Sequence, residues 1–123
     1  MAMPVRKVLV VDDSPTERFY LSDILRKSGY AVVTAENGTD GIDKARSDHP
    51  DLILMDVVMP GLNGFQATRQ LSRDPATQKI PVIMCTTKGQ ETDRVWGMRQ
   101  GASDYMVKPI AADALLEKIK ALD

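Results

Sequence analysis

Five short apolar runs, each followed by the signals that start a helix, narrow this chain to very few folds. The runs are Val8 to Val11, Ala31 to Ala35, Leu52 to Met55, Val82 to Thr86 and Tyr105 to Val107. Several are unbroken stretches of Val, Ile and Leu instead of alternating apolar and polar residues, which suits strands covered on both faces. Parallel strands need long crossovers, and right-handed crossovers carry helices to both sides of the sheet. The pattern therefore predicts an α/β chain with an open, doubly wound parallel sheet, whose site lies at the carboxyl ends of the strands.

The helix signals are local and specific. Ser14-Pro15-Thr16-Glu17 reads as a capping box, with Ser as cap, Pro at the first helical position and Glu reaching back. Leu21, Ile24 and Leu25 supply an apolar stripe, and Gly29 closes the helix. Gly38 to Ser47 forms a second helix, ended by His49-Pro50 because the residue before proline avoids the helical region. Asn63 caps a third that runs through Leu71, and Glu91 to Gln100 forms a fourth, closed by Gly101. In the fourth, Val95 and Met98 fit the inner stripe, which turns Trp96 outward or sideways, to pack along a neighbouring element or meet a partner. Ala112 to Leu122 is the fifth, with Leu115, Leu116 and Ile119 inward and a poor cap at Ala111.

Bulk composition excludes more than it selects. A chain of 123 residues with 43% hydrophobic and 27% charged residues is expected to form one globular domain, residues 1–123, with no room for an output module. Sixteen basic against seventeen acidic residues leave a charge of −1, so no electrostatic footprint marks a nucleic acid or anionic membrane. One cysteine, Cys85, and one histidine, His49, exclude an internal disulfide and a Cys/His zinc site. No run approaches the ~20 apolar residues of a membrane span, and a cytoplasmic setting is expected.

The chemistry gathers where strands end. Leu52-Ile53-Leu54-Met55 runs straight into Asp56, a charge that is costly on a buried strand unless it is paired or meets a cation. The first strand likewise ends in Asp12 and Asp13, the fourth in Thr86 and Thr87, and the fifth in Lys108. Any of these alone has an ordinary reading: Asp12-Asp13 as a turn, Lys108 as a solvated lysine, Thr86 as a strand residue and Tyr105 as a packed aromatic. Together they describe three acids that repel one another unless a cation intervenes, and Mg²⁺ takes such oxygen ligands along with phosphate. The implied reaction is phosphoryl transfer to a carboxylate, with Mg²⁺ and Lys108 neutralising charge and Thr86 donating a hydroxyl hydrogen bond.

Four segments in order carry a resemblance over nearly the whole chain, from about Lys7 to Leu122. They are Val10-Val11-Asp12-Asp13-Ser14, Leu54-Met55-Asp56-Val57-Val58-Met59-Pro60-Gly61, Pro81-Val82-Ile83-Met84-Cys85-Thr86 and Tyr105-Met106-Val107-Lys108-Pro109. In these the chain resembles the receiver domains of bacterial two-component response regulators. The resemblance implies a flavodoxin-like (βα)5 fold with strand order 2-1-3-4-5 and Asp56 as phosphoacceptor. It further implies that Asp12, Asp13 and the Val58 carbonyl serve Mg²⁺, and that Thr86 and Lys108 hold the phosphoryl oxygens. A cis Lys108-Pro109 bond is expected, as is a Thr86–Tyr105 switch that alters the surface of the fourth helix, fifth strand and fifth helix. The implied partners are a histidine kinase as phosphodonor and a downstream motor or scaffold protein.

Gly61 to Arg69 and Gln90-Glu91-Thr92-Asp93 resemble the stand-alone receivers of chemotaxis-like systems that control type IV pili and twitching motility, the PilH type most of all. Val58 and Lys88 flank the path of the water that would hydrolyse an acyl phosphate, and apolar Val58 cannot orient it, so slow self-dephosphorylation is expected. Two other outputs stay open: a phosphate sink for a shared kinase, and a phosphohydrolase working through an aspartyl intermediate. The second is weakened because Val58 stands where haloacid dehalogenase-type enzymes carry another acid. A nucleotide-binding fold is weaker still, since Asp12-Asp13-Ser14-Pro15 replaces a glycine-rich phosphate loop.

Overall fold

The computed structural model describes residues 4–87 and 91–122, with the backbone alone for 91–93. Strands and helices alternate as expected: β1 (Lys7–Val11), α1 (Pro15–Lys27), β2 (Ala31–Ala35), α2 (Gly38–Asp48), β3 (Leu52–Asp56), α3 (Gly64–Arg73), β4 (Val82–Thr86), α4 (Glu91–Arg99), β5 (Asp104–Val107) and α5 (Ala112–Ala121). All strand pairs are parallel, in the order β2-β1-β3-β4-β5. The flavodoxin-like, doubly wound reading is thus the observed fold.

Two cores follow from the period-two stride of the strands. Val8, Val10, Leu52, Leu54, Ile83, Cys85 and Met106 meet Leu21 and Leu25 of α1 and Leu115 and Ile119 of α5 on one face. Leu9, Val11, Ile53, Met55, Val82 and Met84 meet Ile42 and Ala45 of α2 and Ala67 and Leu71 of α3 on the other. Every residue of β3 and β4 is buried, which explains why those runs show no polar alternation.

The helices obey the sequence signals with three corrections, two at helix ends and one on a helix face. Asn37 and Asn63 cap α2 and α3, and Ala111 makes no side-chain cap bond, as read. The box at Ser14 is only half made, because Ser14 Oγ accepts from Glu17 N at 3.3 Å while Ser14 N donates to Asp12 Oδ1 at 2.9 Å. His49 does not merely precede the proline that stops α2; it adopts the left-handed conformation itself, at φ 47°. In α4 the expected inner stripe is wrong: Val95 and Met98 are exposed and, among the described side chains of the helix, Gly97 is the buried residue, facing Met84 and Phe65. The helix turns its glycine inward and leaves its larger apolar residues outside. Trp96 is half-exposed and borders a cavity of about 230 Å³ with Phe65, Gln66 and Arg69 of α3.

Candidate phosphoacceptor site

The stride that builds one core also builds the site. Val10 to Asp12, Leu54 to Asp56 and Met106 to Lys108 are each two residues on, so all three charged side chains continue the α1–α5 face beyond the end of the sheet. Backbone bonds fix their positions: Asp12 N donates to Ala35 O at 3.1 Å and Lys108 N to Thr86 O at 2.7 Å, so the ladder runs on past β1 and β5. The Lys108-Pro109 bond is cis, as expected.

Lys108 Nζ donates to Asp12 Oδ2 at 2.8 Å and to Asp56 Oδ1 at 3.1 Å, joining residues 96 and 52 positions away. Asp12 is 1% exposed and Asp56 7%, whereas Asp13 is open to solvent. Burial, then the charge of Asp12, push Asp56 up to about 6 against the pull of Lys108. Burial works to lower Lys108, but the hydrogen bond and charge of Asp12, followed by those of Asp56, outweigh it and hold the ammonium above its usual range. Beneath them, burial pushes the Cys85 thiol up to about 12, so this cysteine is a packed apolar residue and an inert one.

Carboxylate oxygens of Asp12, Asp13 and Asp56 lie within 4.8 Å of one another. Three hard oxygen donors with one member ionised only against resistance are the donor set that a small divalent cation satisfies, so the residues fit Mg²⁺. Next to Asp13 a cavity of about 660 Å³ opens between Glu36, Asp40, Pro60 and Leu62.

The switch candidates lie on the opposite face. Tyr105 is level with Met84 in the β4–β5 register and Thr86 with Val107, so both follow the α4 side of the sheet. Thr86 is buried and Tyr105 half-buried against the second core. The Val58 side chain is 60% exposed. Lys88 and the side chains of Gln90-Glu91-Thr92-Asp93 lie outside the described residues.

Two contributors were not read from sequence, and a third was read only as part of a helix cap. Arg18 donates from Nη1 to Asp12 O at 2.7 Å and pairs with Glu36 at 3.6 Å, tying α1 and the end of β2 to the acid loop. Gly64 N donates to Val57 O at 2.9 Å, and a Cβ at Gly64 would stand 2.1 Å from Asp56 O; only glycine lets α3 approach the strand that carries Asp56. The third is Glu17, whose Oε2 is buried with no hydrogen-bond partner. Glycine offers no chemical signal, but a glutamate in line with Leu21 and Leu25 was a visible one.

Known proteins resemble this chain over nearly its full length. Protein PilH of Pseudomonas aeruginosa is 59% identical over 116 residues, covering 94% of this chain and 96% of PilH. The phosphate regulon transcriptional regulatory protein PhoB of Escherichia coli is 38% identical over 117 residues, 95% of this chain but 51% of PhoB. Among solved structures, the chemotaxis protein CheY4 of Vibrio cholerae superposes with a TM-score of 0.91 at 32% identity, covering 97% of this chain and 99% of CheY4. The response regulator domain of Thermotoga maritima CheB gives 0.86 at 36%, covering 96% of each chain. With its family model matched across residues 8–120, the chain belongs to the response regulator receiver domain family.

Proposed function

We propose that this chain is a stand-alone, single-domain response regulator, phosphorylated on Asp56 by a histidine kinase. The observation that carries the reading is the Lys108 ammonium spanning Asp12 and Asp56 at the end of the sheet. Receiver domains are signalling phosphoacceptors that take phosphate from histidine kinases and bind Mg²⁺ in an acidic pocket. In this chain Asp12, Asp13, Asp56 and the Val58 carbonyl would hold the ion. When bound, Mg²⁺ would supply positive charge that offsets the acids and the incoming phosphoryl group.

The remaining work belongs to the protein. Asp56, pushed up to about 6, still lies below neutral pH, so the carboxylate is available as nucleophile. Asp56 Oδ attacks phosphorus, the P–N bond to the donor imidazole breaks, and its electron pair returns to the nitrogen. Lys108 and Thr86 receive the phosphoryl oxygens, and Thr86 relays the change to Tyr105 and the surface of α4, β5 and α5. The resemblance to PilH supports a motor or scaffold protein of a type IV pilus system as the downstream partner, reached in the cytoplasm. Among the described residues no helix is long and apolar enough to cross a membrane.

Incubation with Mg²⁺ and acetyl phosphate tests the site. One lasting phosphate per chain, lost in Asp56→Asn, is the expected result. Rapid release of many equivalents would instead identify a hydrolase, and labelling retained in Asp56→Asn would reject Asp56 as acceptor. A pull-down with and without beryllofluoride identifies what reads the phosphorylated surface.

A further inference from the structure

The first turns of α1 and α3 share one design, yet only α3 completes it. In α3, Asn63 Oδ1 accepts from Gln66 N at 2.9 Å and Gln66 Oε1 accepts from Asn63 N at 3.0 Å, so both helix-end donors are used. In α1, Ser14 Oγ accepts from Glu17 N, but the Ser14 N–H that Glu17 would take is held by Asp12 Oδ1 at 2.9 Å. Glu17 Oε2 is consequently left buried without a donor. Glu17 stands one turn before Leu21 and two before Leu25, both fully buried, so it occupies the face of α1 that meets the sheet. A carboxylate oxygen shut from water without a partner is costly and calls for a second state in which it is used.

Asp12 explains the first state and supplies the second. Both its oxygens are engaged, Oδ1 by Ser14 N–H and Oδ2 by Lys108, and it is also one of the three acids that converge within 4.8 Å. We propose that Glu17 is a positioning residue for the cation site, taking over the Ser14 N–H when Asp12 turns to a divalent cation and so completing the capping box of α1. Side chains in a first turn lean back toward the helix N-terminus, and Gln66 demonstrates the reach. Asp12 can then serve the ion without leaving the helix end unsatisfied. The inference rests on the reading of Asp12 as a cation ligand.

The test compares wild type, Glu17→Ala and Glu17→Gln by calorimetric titration with MgCl₂, together with amide hydrogen exchange at Ser14. Glutamine closes a capping box as glutamate does but carries no charge. Loss of a capping bond corresponds to about fivefold, so Glu17→Ala is expected to bind Mg²⁺ about fivefold more weakly and Glu17→Gln to stay within about twofold of wild type. The Ser14 amide should remain protected in wild type and Glu17→Gln, and exchange faster in Glu17→Ala only when Mg²⁺ is present. Equal weakening in both variants would reduce Glu17 to charge attraction and overturn the proposal. So would a Glu17→Ala variant with unchanged affinity and Ser14 exchange. Wild-type protein that binds no Mg²⁺ would overturn the reading of Asp12 itself, and this inference with it.

Discussion

Asp56→Asn should make the metal-free protein more stable. Asp56 rises from 3.8 in an unfolded chain to about 6 in the folded one, so between those values the folded state binds the extra proton. Stability is therefore fully present below pH 3.8 and is lost as pH rises through about 6. A shift of about two units at ~1.4 kcal/mol each sets an upper bound near 3 kcal/mol at neutral pH. The site opens at the sheet edge, and halving the figure for solvent screening leaves about 1.5 kcal/mol. The asparagine amide has nearly the same shape as the carboxylate and keeps an oxygen for Lys108, but cannot ionise.

In a domain of this size about 1.5 kcal/mol raises Tm by roughly 5–8 °C. Urea denaturation of both proteins from pH 4 to pH 7.5, with EDTA present, should show a gap that is full above pH 6 and closes toward pH 4. Mg²⁺ should narrow the gap at pH 7.5 by stabilising the wild type alone. Equal midpoints at pH 7.5, or a gap of constant size across the range, would refute the assignment of the strain to the Asp56 charge.

Three other perturbations follow from the same geometry. Lys108→Ala leaves Asp12 and Asp56 facing each other without their shared cation and should cost roughly 3 kcal/mol in urea denaturation without metal, partly recovered on adding Mg²⁺. Gly64→Ala sets a methyl group against Asp56 O and should destabilise by about 3 kcal/mol, the upper end for overpacking; a midpoint unchanged from wild type would show that α3 can move away freely. Val58→Asn places an amide on an exposed position beside the acceptor and should speed loss of phosphate from Asp56, followed by the decay of radiolabel. An unchanged decay rate would remove Val58 from the hydrolytic path.

What could be read from the sequence were features with a chemical signature. Polar groups at the ends of apolar runs are conspicuous, and β3 and β4 are buried along their full length, with Asp56 and Thr86 as their last residues. The misreadings share a different cause. Val95 and Met98 looked like an inner stripe because hydrophobicity was visible, whereas the inward turn of Gly97 was not. Gly64 is essential to the position of Asp56 through an atom that it lacks. The Ser14 box failed to close because Asp12, two residues earlier, competes for its donor, a contest that local propensity cannot settle.

The order β2-β1-β3-β4-β5 also divides the molecule into a chemical edge and a mechanical one. Among the described residues the β-to-α connections lie with the acids, and the α-to-β connections, such as Ser28 to Tyr30, His49 to Asp51 or Asp74 to Pro81, lie at the far ends of the strands. Lengthening one of those far loops leaves the level pairing of Val11 with Met55, and hence Asp12 beside Asp56, untouched. A single residue inserted within β1 or β3 would turn the acid to the opposite face. A reporter domain or tether is therefore best introduced at the Asp74–Pro81 connection, where it would ride on the protein without touching the phosphorylated end.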